Sequence, residues 1–161
     1  MSAPAEQRVG VAELQAQLAQ GSVFVLSGAG VSTDSGIPGY RDENGAWQGR
    51  APIQYRDFVG SESVRKRYWA RSSLGFPLIE SAAPNAAHYA LCALEARSAL
   101  SLLVTQNVDG LHRRAGSQNL VDLHGRLDQV RCLGCEALTA RSELQSELLE
   151  RNPGFARAAA T

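Results

Sequence analysis

The chain has 161 residues, of which 44% are hydrophobic and 20% are charged, the proportions of a soluble globular protein. Sixteen basic and sixteen acidic residues cancel to a formal net charge of zero, so no global field favours nucleic acid or an anionic membrane as a partner. No apolar run approaches the length of a membrane span. The length predicts one domain over residues 1–161, and because the N-terminus lacks the pattern of a secretory signal we expect a cytoplasmic location.

Helices and short buried strands alternate along the predicted chain. Apolar spacing predicts a helix over residues 10–20, and the apolar run after it predicts a strand over residues 22–27. Residues 31–60 are rich in Gly, Pro and polar side chains, which indicates loop with one short helix. The later elements are a helix over 61–71 that Ser61 can cap, a helix over 86–96, strands over 100–104 and 120–123, and a helix over 140–150.

A polar or glycine-rich cluster follows each of the three predicted strands: SGAG, TQNVDG and HGR. Helical segments separate the first two strands, which predicts right-handed crossovers and a parallel sheet. Ligands of open α/β sheets bind outside the carboxyl ends of the strands. We therefore expect one crevice to bring together Gly28, Gln106, Asn107, Asp109 and His124.

The turn after the first strand, Gly28-Ala29-Gly30, can bind a phosphate through its backbone N–H groups. The glycine fingerprint of dehydrogenases needs a third glycine where this chain has Thr33. The sequence thus disfavours a dehydrogenase but not a dinucleotide ligand, and a tight turn without a ligand is the alternative. A bare phosphate turn does not require the ring and arginine side chains that follow it, which are Tyr40, Arg41 and Trp47.

The cluster after the second strand holds two amides and a carboxylate, Gln106, Asn107 and Asp109. Such groups suit ribose hydroxyls and a carboxamide, whereas an Asx turn that opens a helix is the structural alternative.

Three histidines receive different interpretations. His124 directly follows a predicted strand, where it can serve as a general base because the ordinary pKa of histidine lies near neutrality. For His88 and His112 we predict helix capping or packing rather than catalysis.

Cys132 and Cys135 have the Cys-x-x-Cys spacing of half a tetrahedral zinc site. A thioredoxin-like redox pair is the competing explanation. Zinc is favoured because the segment does not open an obvious helix. Cys92 falls in an apolar predicted helix and is expected in the core, so the chain offers two zinc ligands and no evident second pair.

Together these segments resemble the sirtuins, the NAD-dependent protein deacylases, over about residues 10–140. The resemblance implies an α/β fold, a Rossmann-like parallel sheet with helices on both faces, plus an incomplete small zinc-binding module. The NAD-binding core would cover about residues 10–131, and residues 132–161 would begin the zinc module of a truncated domain. The matching segments are GAGVSTDSGIPGYR (28–41), TQNVDGLHRRAG (105–116), LHG (123–125) and CLGC (132–135), with RYWARS (67–72) and APNAAHYAL (83–91) indicating the class II branch.

The resemblance also implies a reaction, in which an acylated protein lysine and NAD give free lysine, nicotinamide and O-acyl-ADP-ribose. His124 would be the catalytic base, Asn107 would act with Gln106 on the nicotinamide ribose, and Asp109 would fix the carboxamide. The full set predicted to contact NAD is Gly28, Ala29, Gly30, Ser32, Tyr40, Arg41, Trp47, Gln106, Asn107, Asp109 and His124, and the implied zinc ligands are Cys132 and Cys135.

Several alternatives stay open at this point. The cofactor could serve ADP-ribosyl transfer to a protein, or the chain could be an inactive fragment or a nucleotide-binding module. Tyr68 and Arg71 have the spacing found in family members that select acidic acyl groups, although packing of the helix on its neighbours is favoured. The sequence indicates no nucleic-acid or membrane partner and leaves the oligomeric state undetermined.

Overall fold

The computed structural model describes residues 10–39, 44–46 and 52–155. Tyr40, Arg41 and Trp47 therefore lie outside the described residues. The helices are α1 (Val11–Gln20), a 3-10 helix (Ala29–Ser35), α2 (Tyr55–Gly60), α3 (Glu62–Ser81), α4 (Ala86–Ala96), α5 (Leu111–Ala115) and α6 (Arg141–Arg151). The strands are β1 (Val23–Ser27), β2 (Leu100–Thr105), β3 (Leu120–Asp122), β4 (Gln129–Arg131) and β5 (Leu138–Ala140).

The first three strands form a parallel sheet in the order β1-β2-β3. Ser27 pairs with Thr105, and Thr105 pairs with Asp122. The carboxyl ends of the three strands are therefore level at one edge of the sheet, and the predicted Rossmann-like α/β fold with a parallel sheet is confirmed.

The core lies between the sheet and α4. Leu100, Leu103 and Leu120 are buried there, and Val25 packs against them together with Leu91 and Leu94 of α4. Because successive strand residues point to opposite faces, the residues beside Val25 in β1 point the other way. Phe24 and Leu26 are 58% and 55% exposed.

The helix predicted over residues 61–71 is wrong at its end, since α3 continues to Ser81 through Pro77. It begins as predicted, with the Ser61 side chain accepting a hydrogen bond from the backbone N–H of Val64. A proline inside a helix removes one backbone donor. Burial of Phe76 and Ser73 on the same helix supplies packing that favours its continuation.

A small antiparallel hairpin of β4 and β5 contains the two nearby cysteines and was not predicted. Each strand has three residues, too few to show an alternating pattern. The Cys132 N–H donates to the Ala137 carbonyl at 2.9 Å, and Glu136 reverses the chain with φ of 59°. None of the described helices is long and apolar enough to cross a bilayer.

Candidate functional site

The candidate site lies where the three parallel strands end. The loop after β1 contains Gly28 and leads into the 3-10 helix, and the loop after β2 contains Gln106, Asn107 and Asp109. His124 comes two residues after the end of β3. The structure brings these predicted residues together through hydrogen bonds between the loops.

Asn107 joins the first two loops. Its side chain is nearly buried, with 7% of the residue exposed. Its Nδ2 atom donates to the Gly28 carbonyl and to Ser32 Oγ, both at 3.0 Å. The Ser32 hydroxyl in turn donates to Asp109 Oδ2 at 2.7 Å. The two loops are thus held in one arrangement by side chains predicted to belong to the site.

Asp109 also starts the helix that follows it. Its Oδ1 atom accepts a hydrogen bond from the backbone N–H of Leu111 at 2.9 Å. Gly110 between them has φ of 72°, a left-handed conformation that glycine adopts without steric cost. The Asx-turn alternative is therefore correct as a description of the backbone, while the second carboxylate oxygen faces Ser32.

His124 is exposed at the rim of the site. Its Nδ1 atom lies 3.1 Å from the carbonyl oxygen of Gln106. A carbonyl can only accept, so this contact places the proton on Nδ1 and leaves the lone pair of the neutral ring on Nε2. The Gln106 N–H donates to the Ser27 carbonyl at 3.0 Å, which fixes the segment that orients the ring.

The glycine turn leaves room beside the backbone. A Cβ atom added at Gly28 or Gly30 would meet no heavy atom within 4 Å. Ala29 lies between them at the start of the 3-10 helix, and Ser32 is 1% exposed. The open space at the two glycines allows a ligand to approach the main chain closely.

A second polar layer lies beneath these loops, and sequence reasoning missed most of it. Ser27 Oγ donates to Thr105 Oγ1 at 2.9 Å, and Thr105 Oγ1 also accepts from the Asn107 N–H at 3.1 Å. His112 Nε2 lies 2.9 Å from Ser27 Oγ. The available signal was that Ser27 and Thr105 are polar residues at the ends of otherwise apolar strands.

The cap of α4 holds the other side of the 3-10 helix. Asn85 Nδ2 donates to the Val31 carbonyl at 2.7 Å and to Ser35 Oγ at 3.0 Å. His88 Nδ1 accepts from the Asn85 N–H at 3.2 Å. Capping by His88 is confirmed, and burial lowers the pKa of both His88 and His112.

The cysteine hairpin differs from the site at the sheet edge. Cys132 and Cys135 are exposed, and the backbone N–H groups of Cys135 and Gly134 lower the pKa of the Cys132 thiol. Among the described residues, no group of three or more His, Cys, Asp or Glu side chains could hold a metal ion. The two cysteines therefore do not belong to a complete metal site within the described residues. Cys92 is half-buried in α4.

Tyr68 packs within α3 and against α2. Its ring lies edge-on to Phe58 at 5.0 Å and to Trp69 at 5.2 Å between ring centroids. These contacts favour the packing interpretation of this residue. Tyr68 and Arg71 also line a cavity of about 340 Å³ beside Phe76.

Comparison with protein families matches residues 28–158 to the Sir2 family. An NAD-dependent protein deacetylase of Xanthomonas campestris pv. campestris is 59% identical over 134 residues, which are 83% of this chain and 46% of that protein. The NAD-dependent protein deacylase SIR4 of Monosiga brevicollis is 53% identical over 133 residues, covering 81% of this chain and 42% of that protein.

Solved structures give the same result. A Sir2 homologue variant in complex with ADP-ribose has a TM-score of 0.70 and 36% identity, covering 80% of this chain and 52% of that one. A Sir2 complex with a p53 peptide and NAD+ has a TM-score of 0.71 and 31% identity, covering 84% and 54%. The chain spans about half the length of the curated relatives it matches. On this fold, this site and these matches, the chain belongs to the Sir2 family.

Proposed function

We propose that this chain carries the NAD-binding and catalytic segment of an NAD-dependent protein-lysine deacylase. The observation that carries the proposal is the linked set at the sheet edge, in which Asn107, Ser32 and Asp109 form one hydrogen-bonded unit. His124 presents an Nε2 lone pair at the rim of the same edge. The names of the deacetylase and deacylase relatives support this activity.

The residues present fit an NAD molecule. The backbone of Gly28, Ala29 and Gly30 would contact its phosphates, in the space where a Cβ at either glycine would meet nothing within 4 Å. Gln106 and Asn107 would contact the nicotinamide ribose, and Asp109 the carboxamide. When bound, NAD supplies a ribose carbon that an acyl oxygen can attack as nicotinamide leaves.

The chain's own residues then have two tasks. Asn107 and Asp109 orient the reacting end, because each is fixed by a hydrogen bond to the loop after β1 or the 3-10 helix before any ligand arrives. His124 accepts a proton at Nε2 from a ribose hydroxyl, while its Nδ1–H remains bonded to the Gln106 carbonyl. A base whose ordinary pKa lies near neutrality suits this step.

Four further parts of the proposal rest on the sequence. Tyr40 would lie over the reactive ribose, with Arg41 and Trp47 in the same cofactor loop. The protein substrate would carry an acylated lysine, and the location would be cytoplasmic. Cys132 and Cys135 would contribute two ligands to a zinc site, and no chemical step is assigned to the metal.

Mass spectrometry after incubation with NAD and an acetyl-lysine peptide tests the activity. We expect nicotinamide and O-acetyl-ADP-ribose in equal amounts, and loss of O-acetyl-ADP-ribose in His124→Ala. An added ADP-ribose mass on the peptide or on the protein would instead show that the activity is ADP-ribosyl transfer and not deacylation. If the wild-type chain binds NAD but releases no nicotinamide, its function would be nucleotide binding alone.

A further inference from the structure

Two buried histidines lie side by side beneath the candidate NAD site. His88 is 0% exposed and His112 is 1% exposed. Their ring centroids are 4.7 Å apart, and the ring planes are tilted by 53°. In the described part of the chain, each ring has one buried nitrogen without a hydrogen-bond partner, His88 Nε2 and His112 Nδ1.

The bonded nitrogen of His88 fixes where its proton lies. The backbone N–H of Asn85 donates to His88 Nδ1 at 3.2 Å. This N–H is held by the main chain and cannot turn away, so Nδ1 carries the lone pair. Asn85 Oδ1 lies 3.0 Å from the same nitrogen and accepts instead from the Ala87 N–H at 3.0 Å. The neutral His88 ring therefore carries its proton on Nε2.

The contacts of His112 fix its proton in the same way. The Ser27 hydroxyl donates its one proton to Thr105 Oγ1 at 2.9 Å. Ser27 Oγ can then only accept from His112 Nε2, 2.9 Å away. The lone pair of the neutral His112 ring is thus on Nδ1. The two unpartnered nitrogens are complementary, a donor on His88 and an acceptor on His112.

We infer that His88 and His112 form a neutral positioning pair that holds Asn107 in place for NAD through Ser27 and Thr105. This inference rests on the proposed function, because it names residues that act on the same site without touching the ligand. The pair is the point at which the polar layer under the loop after β2 meets the cap of α4.

The route to Asn107 is continuous. His112 Nε2–H donates to Ser27, Ser27 donates to Thr105, and Thr105 Oγ1 accepts from the Asn107 N–H at 3.1 Å. Because these residues are buried, bulk water cannot replace a lost link, and buried polar networks are sensitive to partial loss.

The opposite end of the route reaches the glycine loop. The side chain of Asn85, whose main chain bonds to His88, donates to the Val31 carbonyl and to Ser35 Oγ in the 3-10 helix. The same helix is bonded at Ser32 by Asn107. The histidine pair therefore connects two supports of one ligand-binding segment, which a packing role alone would not require.

The pair works as described only while both rings are uncharged. A proton on His112 Nδ1 would be a buried charge without a hydrogen-bond partner, and a proton on His88 Nδ1 would oppose the Asn85 N–H. Asp109 favours the charged form of both rings, and Asp122 favours the charged form of His112. Burial has the larger effect and lowers the pKa of both rings. The neighbouring His88 also disfavours a charge on His112.

Long-range ¹H–¹⁵N NMR of the ¹⁵N-labelled chain tests the proton positions directly, since the sequence contains three histidines. Above neutral pH we expect two rings protonated on Nε2 and one, His124, protonated on Nδ1. Single His88→Gln and His112→Gln variants assign the signals. A proton on Nδ1 of His88 or His112, or a charged ring at either position, would overturn the inference.

Isothermal titration with NAD tests the positioning role. His112→Leu removes the donor to Ser27 and should weaken NAD binding about tenfold, the effect of one lost hydrogen bond. His112→Gln can restore a donor near the ε position and should recover most of the affinity. Ser27→Ala removes the hydroxyl that joins His112 to Thr105, with little change in volume. It serves as the test variant if His112→Leu does not fold.

A matched control separates positioning from stability. Gln145 is 7% exposed in α6, and its Nε2 donates to the Ser73 carbonyl at 2.8 Å, away from the sheet edge. Gln145→Leu should lower stability while leaving NAD affinity unchanged. Equal NAD affinity in wild type, His112→Leu and Ser27→Ala would overturn the positioning role alone. No NAD binding by the wild-type chain would instead overturn the proposed function, and the positioning role with it.

Discussion

The edge of the parallel sheet and the cysteine hairpin are built in different ways. At the sheet edge, side chains from separate loops bond to one another, and Asn107 and Ser32 are buried. In the hairpin, Cys132 and Cys135 are exposed, and Leu138 is 58% exposed. Long-range contacts thus order the candidate NAD site, whereas local backbone bonds hold the hairpin. Changes in the two regions should therefore differ sharply in cost.

The largest difference is expected for truncated leucines. Leu103 lies in the central strand with 0% exposure. Leu103→Ala should lower the free energy of unfolding by about 3 kcal/mol, because burial is lost and a cavity remains. Leu133→Ala in the hairpin, at a residue 56% exposed, should change it by less than about 0.5 kcal/mol. Urea unfolding of both variants measures this contrast, and similar losses would show that the hairpin is as tightly packed as the sheet.

A change of one atom at Asn107 should have the next largest effect. Asn107→Asp replaces the donor to the Gly28 carbonyl and Ser32 with an acceptor, near the Asp109 carboxylate. We expect a stability loss of about 2 kcal/mol, as for a buried polar group left without its partner. We also expect a large loss of NAD affinity by isothermal titration.

The control for that change is Gln129→Glu, which adds the same charge at an exposed position of β4. It should leave both NAD affinity and unfolding free energy close to those of the wild type. Wild-type affinity in Asn107→Asp would remove Asn107 from the proposed site.

Much of the sheet edge could be predicted from sequence because the strands are apolar runs with abrupt polar ends. That pattern predicted the parallel sheet and the meeting of Gly28, Asn107 and His124. Periodicity did not predict α3 beyond residue 71, since packing of Phe76 overrides the local effect of Pro77. The three-residue strands of the hairpin carry no period at all.

The polar layer beneath the site could not be predicted for a different reason. Its contacts join residues far apart in the chain, as between Ser27 and His112. A histidine inside a helix has the same sequence context whether it packs passively or bonds to a strand end. Only the strand register, which pairs Ser27 with Thr105, shows that two hydroxyls meet there.

Acidification should weaken the sheet edge before it affects the hairpin. Burial lowers the pKa of His88 and His112 below the ordinary value of 6.5. The unfolded chain therefore binds more protons just below that pH, and stability falls as pH drops toward the lowered folded values. Above it, both states are neutral and stability is level.

Urea unfolding between about pH 8 and pH 5 measures this dependence. His112→Leu should flatten the acid side of the curve. An equally steep acid loss in His112→Leu would assign the pH dependence to other groups.

The smallest effect is expected for the cysteines themselves. Cys132→Ser with Cys135→Ser should change the unfolding free energy of the sheet by less than about 0.5 kcal/mol, the usual range for exposed substitutions. Within residues 10–39, 44–46 and 52–155, no further ligands join the two thiols to close a tetrahedral zinc site, and closure supplies the folding energy of such modules. A chelator should therefore leave the thermal midpoint of the wild-type chain unchanged. The contrary outcome is that chelation lowers the thermal midpoint of the wild-type chain, and that the double variant has the same lowered midpoint without a chelator. That result would show that the hairpin completes a metal site and stabilises the sheet through it.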